Sequence, residues 1–307
     1  MKKIRAMLPN FLIVGAEKSG TTWLYGRLHR HPDVFMPEVK EIHFFNHLNS
    51  NRTPRRNYEK HDFEWYRDHF RRWNGEAAVG EATPMYLCDE RAPARIQDHL
   101  PEVKLVACLR HPTDRAYSHY WMARGKNHTE RSFRQVVSQK ILKFIERGRY
   151  GRQLERYLDR FGRSQLRILI HEEVFADPVR HLNELCTFLG VEDTFCHNQD
   201  WITEVVNRSS TVRVPLLHRA IGTAAKWMRD HDGFRQALDA LKKTGLTNRI
   251  KEANKEPRDY SGMPDDLRRE LDDCYASTVR KVEEILGRRI HVWREQSTAA
   301  IPESVSR

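Results

Sequence analysis

The stretch from residue 11 to residue 24 constrains the fold of this chain most strongly. It reads Phe-Leu-Ile-Val-Gly-Ala-Glu-Lys-Ser-Gly-Thr-Thr-Trp-Leu, which is an apolar run, a segment bounded by two glycines, and then helix-forming residues. The apolar run is typical of a buried strand, and Trp23, Leu24 and Leu28 fall on one face of a helix. The amides of a helix's first turn have no partner within the helix, and the helix dipole favours negative charge there. The stretch therefore predicts an anion site.

The spacing of the glycines is close to that of the phosphate loop Gly-x-x-x-x-Gly-Lys-[Ser/Thr] of nucleoside-triphosphate-binding proteins. Both glycines and the last threonine fit. However, Thr21 occupies the place of the loop lysine, and Lys18 lies inside the loop instead. The next strong apolar strand, Lys104 to Leu109, ends in Arg110 where a metal-binding Asp would be expected. The pattern indicates an anionic nucleotide that is bound without a metal.

A pair of proton-transferring side chains follows the short strand predicted at Val34 to Met36. If residues 41 to 46 are extended, Glu41 and His43 lie on one side of the backbone. Coming soon after a phosphate loop, they form a candidate catalytic pair. The alternative is a solvated sheet edge without a chemical role.

Strand and helix patterns alternate along the chain, which favours parallel pairing. We therefore expect an α/β fold, a P-loop-like three-layer domain with a central parallel sheet and helices on both faces. Further strands are predicted at residues 77–82 and 165–170, and helices at 58–73, 92–100, 132–146, 151–161, 178–189, 216–230, 233–242 and 265–286. No repeat or linker divides the sequence, so residues 1–296 are expected to form one domain and residues 297–307 a disordered tail.

The composition of the chain leaves several classes of binding partner open. Lys and Arg number 53 against 42 Asp and Glu, a formal net charge of +11 that suits nucleic acid, an anionic membrane or acidic small molecules. The five cysteines are odd in number and scattered, so a reducing compartment is the simplest expectation. No apolar run reaches bilayer-spanning length and no export signal is evident, so a cytoplasmic location is predicted.

The loop resembles the 5′-phosphosulfate loop of sulfotransferases that use 3′-phosphoadenosine 5′-phosphosulfate (PAPS), especially the branch with heparan sulfate and related carbohydrate sulfotransferases. Segments 41–45, 81–86 and 110–118 resemble further motifs of that family. The resemblance implies PAPS as sulfate donor, with no metal, and a nucleotide site of Lys18, Ser19, Gly20, Thr21, Thr22, Arg110 and Ser118. In this scheme Arg110 and Ser118 bind the 3′-phosphate.

The resemblance also implies the catalytic residues of an in-line transfer to an acceptor hydroxyl. Lys18 would stabilise charge on the bridging oxygen of the leaving nucleotide. Glu41 would take the acceptor's proton, with His43 positioning it or substituting for it. Which of the two is the base stays open.

We expect the acceptor to be a glycan, a glycolipid or a small metabolite, and an acidic acceptor would match the net positive charge of the chain. Ala82 stands where the heparan enzymes have an acceptor-site lysine, which argues against a heparan-like acceptor. A basic stretch at residues 244–263, with Arg249, Lys251, Lys255 and Arg258, is either a solvated loop or a lid over the nucleotide. Two other functions are open: a kinase or related nucleoside-triphosphatase, and a basic nucleic-acid-binding module.

Overall fold

The computed structural model describes residues 8–47, 57–126, 128–139, 141–193, 210–212, 255–257 and 262–298. Five parallel strands form one sheet in the order β2–β3–β1–β4–β5. The strands are β1 (Phe11–Gly15), β2 (Val34–Phe35), β3 (Ala78–Ala82), β4 (Lys104–Leu109) and β5 (Leu166–Ile170). A two-stranded antiparallel sheet pairs β6 (Ser210–Val212) with β7 (Lys255–Pro257). The predicted α/β fold with a central parallel sheet is confirmed.

Helices follow or precede each long strand. They are α1 (Thr21–Leu28), α2 (Asn57–Lys60), α3 (Phe63–Asp68), α4 (Ala92–His99), α5 (Pro112–Gly125), α6 (Phe133–Ser138), α7 (Leu142–Ile145), α8 (Tyr150–Leu158), α9 (His171–Ala176), α10 (Pro178–Leu189), α11 (Asp265–Leu286) and α12 (His291–Thr298). Single 3₁₀ turns lie at Glu146–Gly148 and Arg163–Gln165.

The two faces of the sheet are covered by different helices. Leu12 and Val14 point into a core cluster shared with α4, α8, α11 and Trp293, whereas Phe11 and Ile13 point into a second cluster with α1, α9 and α10. This alternation follows from the period of two along a strand. Because both faces are buried, the strands read as near-continuous apolar runs in the sequence.

Two segments that were predicted as single helices each form two helices in the structure. The segment 58–73 forms α2 and α3, because the Asp62 side chain accepts the Trp65 N–H and begins a new helix. The segment 132–146 forms α6 and α7 with a break between them. On α11, Cys274 is only half-buried, and the neighbouring Tyr275 is the fully buried residue.

By Cα proximity the chain divides into two compact units, residues 1–119, 131–206 and 263–307, and residues 120–130 and 207–262. The first holds the five-stranded sheet, and the second holds the β6–β7 pair. The single-domain expectation stays a prediction. The predicted helices at 216–230 and 233–242 lie outside the described residues, and so does the tail predicted at 297–307 except for residues 297–298, which end α12. Within the described ranges, no helix combines the length and the apolarity that crossing a membrane requires.

Candidate active site

The loop between β1 and α1 is held tightly against the sheet. The N–H of Ala16 donates to the carbonyl of Cys108 on β4 at 2.7 Å. A side chain at Gly15 would lie 2.4 Å from Cβ of Leu87, so only glycine fits there. Gly20 is the residue preceding α1 and has φ +87°, a conformation that glycine adopts without strain. The amides of the first turn of α1 therefore emerge at the C-terminal edge of the sheet, as the sequence predicts.

His171, the first residue of α9, closes one side of this loop. A Cβ atom at residue 20 would lie 3.0 Å from its Nδ1 atom and 3.1 Å from Cε2 of Phe175. Burial, and then the neighbouring charge of Arg110, lowers the pKa of His171 to about 4. The imidazole is therefore neutral at physiological pH. Sequence reasoning missed this residue, although a histidine directly after the C-terminal end of β5 was a usable signal, because ligands of open α/β sheets bind at that edge.

Arg110 is positioned by its backbone. Its carbonyl accepts the hydroxyl of Tyr150 at 3.0 Å. The N–H of the next residue, His111, donates to Glu172 Oε1 at 2.9 Å, and Glu172 Oε2 accepts the indole N–H of Trp293 at 2.8 Å. Tyr150 on α8 and Glu172 on α9, both distant in sequence, thus fix the backbone at the end of β4 that carries Arg110.

The nucleotide residues predicted on the loop fall into two groups. Ser19 and Thr21 are buried beneath the surface, whereas Thr22 is half-buried. Lys18 lies in the left-handed region at φ +72°, on the half-buried outer side of the loop. Ser118 is half-buried on α5, eight residues after Arg110.

The predicted proton-transferring pair meets directly, but not along an extended strand. His43 Nε2 lies 3.1 Å from Glu41 Oε2. The backbone of His43 has φ +57°, so residues 41–46 form an irregular turn and the expectation of an extended segment is wrong. The other ring nitrogen, Nδ1, lies 3.2 Å from Oδ1 of Asn46. The turn, and not strand alternation, brings the two side chains together.

Lys40 joins this pair to the loop. Its Nζ atom donates to Thr22 Oγ1 at 3.2 Å and lies 3.6 Å from Glu41 Oε1. Sequence reasoning missed Lys40, because in an extended segment neighbouring side chains point to opposite sides. One cation therefore connects the anion loop with the candidate base.

Glu41 and Lys40 each change the pKa of the other. Burial raises the pKa of the Glu41 carboxyl, but the hydrogen bond from His43 and the charge of Lys40 outweigh it, so that the net pKa lies below its usual range. Burial lowers the pKa of Lys40, and Glu41 opposes that shift. The Glu41 side chain is 35% exposed, so an acceptor can reach a carboxylate that is ionised at neutral pH.

The residues present fit a nucleotide of the PAPS type. The hydroxyl of Ser19 is fully buried in the loop and lies close to the phenol of Tyr150. The first-turn amides of α1 and the arginine that follows β4 lie at the same edge of the sheet. Within the described ranges, no group of three or more His, Cys, Asp or Glu side chains is arranged to hold a metal ion.

Comparison with known proteins identifies the family of the chain. The profile of the family described as "Sulfotransferase domain" matches residues 8–256. The bifunctional heparan sulfate N-deacetylase/N-sulfotransferase 4 of Mus musculus is 31% identical over 214 residues, which cover 62% of this chain and 23% of that protein. The heparan sulfate glucosamine 3-O-sulfotransferase 3B1 of Homo sapiens is 31% identical over 193 residues, covering 60% of this chain and 47% of that protein. The chain thus spans less than half the length of these relatives.

Solved structures agree as well. A sulfotransferase from Alicyclobacillus acidocaldarius superimposes with a TM-score of 0.66 at 28% identity, over 94% of this chain and 99% of that one. Mouse sulfotransferase SULT7A1 complexed with PAP has a TM-score of 0.51 at 14% identity, over 96% and 90% of the two chains. The second likeness concerns the fold alone.

Proposed function

The chain belongs to the sulfotransferase domain family, and on that premise we propose that it transfers a sulfuryl group from PAPS to a hydroxyl or amine of a carbohydrate acceptor. The observation that carries the proposal is the Lys40 bridge: its Nζ atom lies 3.2 Å from Thr22 in the first turn of α1 and 3.6 Å from the partly exposed Glu41 carboxylate. This bridge supports a donor-binding site beside a proton acceptor. That arrangement is what an in-line transfer needs.

The donor side uses residues of the loop and of the strand ends. PAPS supplies an activated sulfuryl group whose S–O bond to the 5′-phosphate breaks as the acceptor's bond to sulfur forms. The first-turn amides and Thr22 would hold the phosphosulfate, and Lys18 would stabilise the charge left on the bridging oxygen. Arg110 and Ser118 would bind the 3′-phosphate, since a guanidinium donates in a fork that matches phosphate oxygens.

The acceptor side uses Glu41. As an ionised carboxylate it would take the proton that the acceptor loses, and His43 would hold it in position through the 3.1 Å contact. Lys40 would neutralise part of the negative charge where donor and base meet. Relatives that are named as heparan sulfate sulfotransferases support a carbohydrate acceptor. The segment 244–263, expected to be either a solvated loop or a lid over the nucleotide, lies outside the described residues except for β7 and residues 262–263.

The family membership does not favour the two rival functions, a kinase and a nucleic-acid-binding module. Thermal-shift measurements compare them directly with adenosine 3′,5′-bisphosphate, ATP with Mg²⁺, and DNA as separate additions. We expect the bisphosphate, without metal, to raise the melting temperature most. Adenosine 5′-monophosphate is the matched ligand control because it lacks the 3′-phosphate.

Two variants test the roles proposed for Arg110 at the end of β4 and for Lys18 on the loop. Arg110→Ala should lose most of the stabilisation by the bisphosphate and respond to it no more than to the monophosphate. Lys18→Ala should keep the bisphosphate shift and lose turnover of PAPS by ~10²-fold, because the lysine acts on charge that develops during transfer. A parent protein that responds equally to both nucleotides would overturn the 3′-phosphate assignment.

A further inference from the structure

A carboxylate at the end of β3 is completely buried and accepts three hydroxyl groups. Glu81 is 1% exposed. Its Oε1 atom accepts the hydroxyls of Tyr86 at 2.8 Å and Tyr66 at 3.1 Å, and its Oε2 atom accepts that of Thr83 at 2.7 Å. Burial raises the pKa of Glu81, and the three hydroxyls oppose that shift. A buried carboxylate is costly unless it is well hydrogen-bonded, so its presence needs an explanation.

Two of these hydroxyls accept backbone N–H groups of the irregular turn at residues 41–46. The N–H of His43 points to Thr83 Oγ1 at 3.4 Å, and the N–H of Phe44 donates to the Tyr86 hydroxyl at 3.1 Å. A hydroxyl that accepts a backbone N–H must send its own proton elsewhere. Here both protons go to Glu81, so the chain of donors runs from the turn, through a hydroxyl, to the carboxylate.

The turn needs such support because His43 has φ +57°, a left-handed conformation that is strained for a non-glycine residue. Its backbone conformation decides where the imidazole lies, and the imidazole contacts Glu41 at 3.1 Å. The N–H groups of residues 43 and 44 join this backbone to Thr83 and Tyr86, and the N–H of Phe45 also reaches the Tyr86 hydroxyl at 3.5 Å.

We propose that Glu81 is a positioning residue for the Glu41–His43 pair. Its carboxylate orients the hydroxyls of Thr83 and Tyr86 so that both accept backbone N–H groups of the turn. The value of that positioning for transfer rests on the proposed function, whereas the positioning of the turn itself does not.

The chain offers a matched control in Tyr66. Like Tyr86 it is fully buried, donates to Glu81 Oε1 and belongs to the aromatic cluster around Phe44 and Phe45. Among the hydrogen bonds of the described chain, its hydroxyl donates to Glu81, whereas the hydroxyl of Tyr86 also accepts from the turn. Tyr66→Phe and Tyr86→Phe therefore remove the same carboxylate contact and differ in the contact to the backbone.

The experiment compares Tyr86→Phe, Thr83→Val and Glu81→Gln with Tyr66→Phe in the full chain. Amide hydrogen exchange at residues 43 and 44 is measured by NMR, together with melting temperature, bisphosphate affinity, kcat and KM. The two tyrosine variants should melt at similar temperatures. We expect Tyr86→Phe to exchange its residue 44 amide at least ~10-fold faster than Tyr66→Phe, because one protecting hydrogen bond is lost.

The kinetic expectation separates positioning from stability. Tyr86→Phe, Thr83→Val and Glu81→Gln should lower kcat by ~10–10²-fold while the KM for PAPS and the bisphosphate affinity change less than about twofold. Tyr66→Phe should keep kcat within about twofold of the parent. Equal losses of kcat in the two tyrosine variants, or equal exchange rates, would overturn the proposal. If the parent transfers no sulfuryl group, the proposed function fails, and the exchange contrast still decides whether Glu81 positions the turn.

Discussion

Glu41 is held on two sides, by the imidazole of His43 at 3.1 Å and by the ammonium group of Lys40 at 3.6 Å. Both contacts favour its ionised form, which suits a proton acceptor. The sequence predicted that Glu41 and His43 lie on one side of the backbone, but not the left-handed conformation of His43 or the contact of Lys40 with Glu41. The pair could be predicted, whereas its detailed arrangement could not.

Removing the charge of Glu41 without changing its shape tests its role. Glu41→Gln should fold, keep its affinity for adenosine 3′,5′-bisphosphate, and lose transfer by ~10²-fold or more, because the amide cannot take a proton. His43→Ala should cost less, since we assign it a supporting role. Steady-state kinetics with labelled PAPS measure both. A larger loss in His43→Ala than in Glu41→Gln would make the histidine the base.

Lys40 gives a pH-dependent prediction. It is one of the groups that lower the pKa of Glu41, so the acid limb of the kcat/KM profile should move to higher pH in Lys40→Met. The sign follows because a higher pKa leaves less ionised carboxylate at a given acidic pH. Lys60→Met, at an exposed lysine on α2, is the control and should leave the limb in place. An unmoved limb in Lys40→Met would show that the lysine does not act on Glu41.

At the scale of elements, apolar patterns predicted β1, β4, β5 and α11 to within a residue, because buried parallel strands and a 22-residue amphipathic helix leave strong periodic signals. The breaks between α2 and α3 and between α6 and α7 were missed. Helix α3, for example, begins at the Asp62 side chain, a local cap that competes with continuation of the preceding helix. The Glu81 network was missed because a buried carboxylate is recognised only once its three donors are known.

Helix α9 makes stability depend on pH through its first residue. His171 has a pKa of about 4 in the folded chain against 6.5 in an unfolded one. The unfolded state therefore binds more protons between these values, and stability is lost as pH falls from about 6.5 to 4. Allowing for solvent that still reaches the ring, the loss should be about 2 kcal/mol.

Urea unfolding of the parent and of His171→Gln at pH 7 and pH 4.5 measures this loss. The variant should be destabilised less by acid than the parent is. His29→Gln, at an exposed position just after α1, is the control and should behave as the parent. The same acid loss in His171→Gln as in the parent would contradict the assignment.

At the scale of the whole molecule, residues 18–22 follow the C-terminal end of β1 and Arg110 follows that of β4, whereas Ser118 lies within α5 and the Glu41–His43 pair lies in the segment after β2. This much follows from the alternation of strands and helices and was predictable. The acceptor surface was not predictable, because it depends on which side chains the folded chain brings together around the loop. The predicted cytoplasmic location stays a prediction.

Ala82 gives the prediction about acceptors. It ends β3, is 1% exposed and packs in the core cluster beneath α1, so it brings no cation to the site. Where a heparan-type enzyme has a lysine, one charge-assisted contact to the acceptor is missing, which is worth roughly tenfold in affinity. In a panel of heparan oligosaccharides, simple glycosides and alcohols, we expect no preference for heparan. Efficient and selective sulfation of heparan oligosaccharides would show that other cations replace this lysine.

Strand β1 is the first strand of the chain and the middle strand of its sheet, and both of its neighbours, β3 and β4, come later. During synthesis, residues 11–22 therefore leave the ribosome long before residue 109 completes the pairing that shapes their loop. At about 5–20 residues per second, this interval is on the order of ten seconds. Until β3 has been synthesised, an apolar strand that will later be wholly buried has no neighbouring strand to pair with, and its pairing with β4 waits for the whole interval. A nascent chain halted before β4 should thus be a client for chaperones and should bind no nucleotide.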